Sequence, residues 1–282
     1  MNPPTFLTAG FRAFFLAAGL FAVAAMALWL IWIALAPAVQ PFAPPPQHWH
    51  AHEMIWGYSA AVVAGFFLTA VPNWTGAAPA GTAFITLAAV VWLAGRMAML
   101  FYASLPPGLV ATADLAFLPL IAASVLGQMR RKPQPRNLML VGLLALLWSG
   151  NLIAHLDWSG GASLDAGTGF RVGLLTLAAL VTVIGGRITP TFTRNALGPA
   201  VEPPASRPPV DIAAIAAAIA LPLAVAISAA TAVTGLLAAI AGGAQLVRLA
   251  GWRGLHTLGS PLLWSLHLAG PMVAMGYLTH AA

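Results

Sequence analysis

The sequence predicts an all-α fold, a polytopic bundle of transmembrane helices. Of its 282 residues, 60% are hydrophobic and only 6% are charged, whereas roughly a quarter of the residues in a soluble domain are charged. The apolar runs are long enough for helices that cross about 30 Å of hydrocarbon. They are continuous rather than alternating, which excludes the other structure that satisfies its backbone in lipid, a β-barrel.

Proline, glycine and charged clusters divide the apolar sequence into about nine segments of spanning length. The first is too long for the core of a signal peptide and is expected to stay in the mature chain. Only a weak break between Ser228 and Thr234 separates the seventh from the eighth. We predict one transmembrane domain over residues 1–282, with spans at 9–36, 50–71, 82–103, 108–128, 138–156, 168–189, 210–228, 231–250 and 261–280.

The basic residues predict the orientation, because cytoplasmic loops carry an excess of lysine and arginine. Under the nine-span assignment nine of them fall on one side, so the N-terminus is predicted to be cytoplasmic. This bias also accounts for the formal charge of +6 without a nucleic-acid partner. The chain has no cysteine, which excludes disulfides and iron–sulfur clusters. The residues on the predicted cytoplasmic side are Arg12, Arg130, Arg131, Lys132, Arg136, Arg194, Arg207, Arg248 and Arg253.

A histidine cluster at the outer end of the second span is the strongest sign of a binding site. His48, His50 and His52 fall within five positions and are followed by Glu53. On a helix, His48 and His52 share a face while His50 points nearly the other way. Imidazole is a ligand for copper, iron and zinc and the common axial ligand of haem. The alternative is that the three rings only occupy a wet membrane interface.

Charged residues inside spans are costly, so they tend to pair and to face the bundle interior. Arg96 and Asp114 lie on neighbouring spans and are predicted either to form a buried ion pair or to leave Arg96 for an acidic cofactor group such as a haem propionate. His155 lies at the outer end of the fifth span, four residues after Asn151. We predict an outer-face pocket in which His52 is the haem ligand and His50 binds copper, with His48 and His52 as further candidate metal ligands. His48, Glu53, Arg96 and His155 are predicted to lie around a bound haem.

Polar residues also collect at the opposite face of the predicted bundle, where Pro72 and Pro190 are expected to end the second and sixth spans. His267 lies within the last span and is either functional or part of a helix–helix hydrogen bond. Neither a nucleophile arrangement nor a phosphate loop is present in the sequence. The two polar layers leave open a different function, that of a transporter or channel-like carrier without a redox cofactor.

Two long motifs give the sequence a family resemblance. Residues 48–54 (HWHAHEM), continuing to residues 68–76 (LTAVPNWTG), resemble the first signature of the NnrS family. Residues 185–190 (GGRITP) and 192–195 (FTRN) resemble its second. The start at residues 11–15 (FRAFF) and the segment at residues 261–264 (PLLW) with His267 are similar as well.

The resemblance implies a multi-pass protein of the bacterial inner membrane that binds haem and copper. It also implies a part in tolerance of nitric oxide and nitrosative stress, often near denitrification functions, with nitric oxide or its iron complexes as partners. It does not by itself imply an enzyme. Members of the family normally have about a dozen spans, so this chain is expected to be a short or C-terminally truncated member, with a remnant of a longer protein as the alternative.

Overall fold

The computed structural model describes residues 4–35, 44–130, 135–161, 165–198 and 204–281, and all regular structure within these ranges is helical. Short 3-10 turns lie at Thr5–Leu7, Tyr102–Ser104 and Gly254–Thr257. The long helices are α1 (Gly10–Leu35), α2 (Pro46–Thr75), α3 (Thr82–Leu100), α4 (Pro107–Met129), α5 (Pro135–Trp158), α6 (Ala166–Leu197), α7 (Pro208–Ala226), α8 (Thr231–Ala250) and α9 (Pro261–Ala281).

Within the described residues, eight helices, α1 to α8, are long and apolar enough to cross a membrane, which confirms a multi-pass membrane protein. The ninth predicted span forms α9, a helix of 21 residues. It is not among the eight, because polar residues such as His267 and a proline, Pro271, dilute its apolar character. Large apolar side chains point outward, as lipid contact requires; Val23 of α1, for example, is 73% exposed.

The chain divides into two compact units, Met1–Gly173 and Leu174–Ala282. The first contains α1 to α5 and the opening turns of α6. Within it, α1 packs on α2, α3 on α4, and α4 on α5. The second contains the rest of α6 with α7, α8 and α9, and there α8 packs against both α7 and α9. Buried alanines such as Ala218, Ala238 and Ala274 let these helices approach closely, as is usual between helices in lipid.

The structure corrects the predicted ends of two helices. Pro72 and Pro190 lie inside α2 and α6, and neither ends its helix. A proline near the last turn removes one backbone hydrogen bond, and membrane helices tolerate that loss. The two helices end instead just before Gly76 and Gly198, which have φ of 69° and 66°. This left-handed conformation is the usual helix terminator and favours glycine.

Two local irregularities lie close to the predicted outer-face pocket. A π-helical turn covers Glu53–Ser59, directly after His52, and such turns are frequent at functional sites. The helix α4 is interrupted at Ala116, because Pro119 cannot donate a hydrogen bond to the carbonyl four residues earlier. That carbonyl, on Leu115, accepts a hydrogen bond from Trp148 Nε1 at 3.0 Å instead.

Candidate metal centre

His52 is the central side chain of a buried polar cluster in the first unit. It lies on α2, and its exposed fraction is 0%. Its Nδ1 is 3.0 Å from Glu53 Oε1, and its Nε2 is 3.1 Å from Asp114 Oδ2 and 2.9 Å from Asn151 Oδ1. Both ring nitrogens therefore face oxygen atoms that accept hydrogen bonds.

Asp114, on α4, joins the other members of the cluster. Its Oδ2 is 3.0 Å from His155 Nε2 and accepts a hydrogen bond from Asn151 Nδ2 at 2.7 Å. Asn151 and His155 are four residues apart on α5, so they share one face of that helix. Three ligand-type atoms of His52, Asp114 and His155 lie within 4.8 Å of one another, the one group of at least three such residues found in the described parts of the chain.

Arg96, on α3, holds the two carboxylates of the cluster. Its Nη1 donates to Glu53 Oε1 at 2.5 Å and its Nη2 donates to Asp114 Oδ1. The predicted ion pair between Arg96 and Asp114 is thus confirmed, and Glu53 shares it. The two carboxylates outnumber the one guanidinium, so the buried site carries one negative charge that either a proton on His52 or a bound cation can balance. Since such a charge is costly, the cluster favours an added positive charge.

Gly57 leaves space for the ion pair between Glu53 and Arg96, because it has no side chain. A Cβ at this position of the π-helical turn would lie 2.8 Å from Glu53 Oε2 and 2.9 Å from Arg96 Nη1. The Gly57 carbonyl accepts a hydrogen bond from Trp92 Nε1 at 2.9 Å. The turn is therefore fixed against α3 on the same side as Arg96, and only glycine leaves room there for the ion pair.

The donor set fits a single transition-metal ion. Metal–ligand bonds of about 2.0–2.2 Å place neighbouring ligand atoms about 3 Å apart, which is the spacing of His52 Nε2 and His155 Nε2 from Asp114 Oδ2. Two histidines with one carboxylate and open positions are typical of non-haem iron(II), and imidazole is also a copper ligand. Glu53 at His52 Nδ1 is the carboxylate–histidine contact that orients metal-bound imidazoles.

His48 and His50, which we predicted as metal ligands, do not join this group. His48 lies against Trp158 and Phe170, with ring centroids 6.5 and 5.2 Å away. His50 stacks on Trp29 of α1 at 4.7 Å. The predicted separation of His50 from the face shared by His48 and His52 is confirmed. One helical turn along the axis nevertheless keeps His48 out of hydrogen-bonding reach, and Asp114 and Asn151 occupy the positions beside His52.

The predicted role of His52 as a haem ligand stays a prediction. Both of its ring nitrogens have protein partners, and Trp56, His155 and Trp158 pack around its ring at centroid distances of 5.1 to 5.6 Å. The terminal nitrogens of Arg96 are likewise engaged by carboxylates.

The two residues that complete the cluster were predicted only in part. Asp114 was predicted only as the partner of Arg96, and Asn151 only as a neighbour of His155. The indication for both residues was that they lie near the outer ends of neighbouring predicted spans, at the same depth in the membrane. The contact itself depends on the break of α4 at Ala116 and on the close approach of α5 to the opening turns of α6, where a Cβ at Gly150 would lie 2.8 Å from the Gly169 carbonyl oxygen.

The second unit has a buried polar network of a different kind. Arg248 of α8 donates to Asp211 Oδ1 at 2.7 Å, to Gln245 Oε1 at 2.8 Å and to the Thr182 carbonyl at 3.2 Å. His267 Nε2 is 2.8 Å from Thr193 Oγ1, so the predicted alternative of a helix–helix hydrogen bond for His267 is confirmed.

The fold and the cluster together define a class, a multi-pass helical membrane protein with buried charged residues inside its first unit. The family model described as NnrS protein matches residues 5–282. The chain therefore belongs to the NnrS family, which is associated with nitric oxide stress, as its two motifs had predicted. Neither the curated proteins nor the solved structures contain a match to the chain.

Proposed function

We propose that this protein binds one transition-metal ion, copper or ferrous iron, at His52, Asp114 and His155, and that this centre serves tolerance of nitric oxide in the bacterial inner membrane. The observation that carries the proposal is the convergence of His52 Nε2 and His155 Nε2 on one carboxylate oxygen. Family membership supports the physiological part.

The surroundings of the three ligands support a bound cation over a purely structural ion pair. Glu53 Oε2, Arg96 Nε and His155 Nδ1 are buried without a hydrogen-bond partner in the described part of the chain. A network that served stability alone would be expected to satisfy these atoms, because each orphan costs about 1–3 kcal/mol. The excess negative charge and the unused oxygen of Glu53 are features that a cation would compensate.

Each residue has a distinct task in this proposal. His52, His155 and Asp114 hold the ion, Glu53 orients the His52 ring, and Asn151 fixes the Asp114 oxygen by donating to it. Arg96 keeps both carboxylates ionised and in place. Copper or iron bound here would supply one-electron chemistry and a coordination position for nitric oxide.

The test is metal binding by the full-length protein purified in detergent. We expect about one copper or iron per chain, with His155→Gln and Asp114→Asn each lowering the affinity by more than about 100-fold, beyond the effect of losing a supporting contact. His50→Gln is the matched control, because His50 stacks on Trp29, and it should keep the wild-type affinity.

Equal metal content in wild-type protein and a His155→Gln/Asp114→Asn double variant would overturn the proposal. An optical spectrum taken on the same samples tests the family's haem. A Soret band that survives His52→Gln would place haem away from this cluster. A folded protein with neither metal nor haem would favour the carrier without a redox cofactor.

A further inference from the structure

A pocket opens in the second unit where α8 meets α9. Its volume is about 450 Å³, and its lining includes one arginine, two histidines and one tryptophan, with leucines beside them. The side chains that decide its chemistry are Arg253, His256, Trp264, His267, Leu249 and Leu268. A cationic group next to an apolar wall fits a ligand that is anionic at one end and apolar at the other.

The position of the pocket along the chain places it at a membrane–water boundary. The apolar stretch of α8 ends at Gly251, and Arg253 and His256 follow within five residues. Tryptophan is enriched at this depth, and Trp264 lies in the pocket wall. The charge bias predicts that this connection is on the cytoplasmic side, where the leaflet carries anionic lipids.

Exposed leucines surround the charged part of the pocket. Leu255 and Leu258 are 82% and 65% exposed, although they stand in a short polar connection. A water-facing loop gains nothing from such side chains, whereas a loop at the lipid surface can bury them among acyl chains.

The backbone of the connection is held in an uncommon conformation. Arg253 has φ of 60°, a left-handed value that is rare outside glycine and is found mainly where the surrounding structure fixes it. The next residue, Gly254, packs so closely on His267 that a Cβ would lie 2.9 Å from its Nδ1. His267 is in turn bonded to Thr193, so the polar end of the pocket has a fixed shape.

We propose that this pocket binds an anionic phospholipid, with the headgroup phosphate at Arg253 and His256 and an acyl chain along Leu249 and Leu268. Arginine and histidine side chains supply the N–H donors that phosphate oxygens accept. The apolar wall and the exposed leucines favour a lipid over a free anion. The site lies in the second unit and does not depend on the proposed metal centre.

The test is native mass spectrometry of delipidated full-length protein in detergent, titrated separately with phosphatidylglycerol, phosphatidylcholine and inorganic phosphate. Wild-type protein should bind phosphatidylglycerol more tightly than phosphatidylcholine. Arg253→Gln should weaken phosphatidylglycerol binding about fivefold, as expected for the loss of one basic residue at a lipid surface. Arg253→Lys should retain most of it.

Arg207→Gln is the matched control, because Arg207 is an exposed arginine of the same unit outside the pocket, and it should leave lipid binding unchanged. Should Arg253→Gln fail to yield monodisperse protein, His256→Gln at an exposed position is expected to weaken phosphatidylglycerol binding in the same direction.

Equal affinity for the two lipids, or no effect of either pocket variant, would overturn the proposal. Displacement of phosphatidylglycerol by inorganic phosphate at equal concentration would assign the pocket to a free anion instead, and a photo-crosslinker at position 258 that captures only protein would assign it to a protein partner.

Discussion

The two units each bury an arginine paired with an aspartate, but the two networks differ in charge and completeness. In the second unit, one guanidinium, Arg248, meets one carboxylate, Asp211, and its Nη1 donates to two neutral groups. In the first, Arg96 meets two carboxylates, and several polar atoms beside it have no partner in the described chain. A balanced network is what helix packing requires, whereas an unbalanced one with converging histidines is suited to a ligand.

The two networks also differ in the solvent exposure of their carboxylates. The Asp211 side chain is 28% exposed and bonds Ser206 Oγ at 2.9 Å, so its charge is partly hydrated. Glu53 and Asp114 are almost completely buried. Burial without charge balance is expensive in a low-dielectric interior, and a sequence retains such an arrangement more readily where it has a function.

Replacing each aspartate separately by asparagine should show the largest difference between the two networks. Asp114→Asn should abolish metal binding but lower the free energy of unfolding by only about 1–3 kcal/mol, because Glu53 still pairs with Arg96 and the main loss is the hydrogen bonds that Asp114 accepts. Asp211→Asn should cost more, about 3–5 kcal/mol, because the buried Arg248 guanidinium is then left without a carboxylate partner. Unfolding in detergent and metal titration measure both effects. Loss of metal in Asp211→Asn, or its retention in Asp114→Asn, would contradict the distinction.

Two adjacent glycines test how tightly the second network is packed. A Cβ at Gly186 would collide with the Arg248 guanidinium, whereas one at Gly185 would meet nothing within 4 Å. Because Arg248 is held by three partners, Gly186→Ala should lower the free energy of unfolding by about 1–3 kcal/mol. Gly185→Ala should be neutral or stabilising by up to about 1 kcal/mol. Thermal unfolding of the two variants decides, and metal affinity should be unchanged in both.

Gly57 offers the corresponding test in the first unit. Gly57→Ala should displace Glu53 and Arg96 and reduce metal affinity by about tenfold, the lower range for loss of a supporting contact. Gly142→Ala is the control, since nothing lies within 4 Å of a Cβ there and α5 carries it in the same unit. Isothermal titration calorimetry with the metal that wild-type protein binds measures the affinity of each variant relative to wild type. A Gly57→Ala variant with wild-type affinity would mean that the ion pair does not position the metal ligands.

Sequence patterns predicted much of the fold because lipid leaves few alternatives. Apolar length alone located α1 to α8, and the weak break at Ser228 proved to be a real turn, with φ of 53°. The prediction that Pro72 and Pro190 end their helices was wrong, because the loss of one hydrogen bond at a proline does not by itself end a helix. The glycines after Thr75 and Leu197 were the better terminators.

The sequence predicted which residues of the candidate site share one depth in the membrane, but it did not predict which side chains contact each other. His52, Glu53, Arg96 and His155 came together as expected, because all lie near one end of their helices. Their contacts with Asp114 and Asn151 depend on the rotation of α4 and α5, which hydrophobicity does not encode. The π-helical turn after His52 also shifts the register of α2, and a sequence pattern based on 3.6 residues per turn cannot reveal it.

The smallest expected effect concerns the start of α6, outside both networks. Asp165 Oδ1 accepts a hydrogen bond from the Thr168 backbone N–H at 2.9 Å, and this bond lowers the pKa of Asp165. A carboxylate with a lowered pKa in the folded state stabilises it above the unfolded pKa of about 3.9 and loses that contribution as the pH falls through the folded value.

Asp165→Ala should therefore lower the free energy of unfolding at pH 7 by about 0.5–1 kcal/mol, the low end for a helix cap at an exposed site. The difference from wild-type protein should shrink as the pH drops below about 4. Parallel thermal unfolding at pH 7 and in acid measures it, with Asp165→Asn as a control that keeps a capping oxygen. A penalty that does not change between the two pH values would exclude the carboxylate as its source.

The most direct test of the metal centre is X-ray absorption at the copper and iron edges of the metal-loaded protein. The proposed ligands predict nitrogen and oxygen neighbours at about 2.0–2.2 Å, with the scattering of two imidazole rings and no sulfur. His155→Gln should remove one imidazole from that signal, and His50→Gln should remove none. A sulfur neighbour from methionine, or an imidazole count that depends on His50 rather than His155, would contradict a centre built on His52, Asp114 and His155.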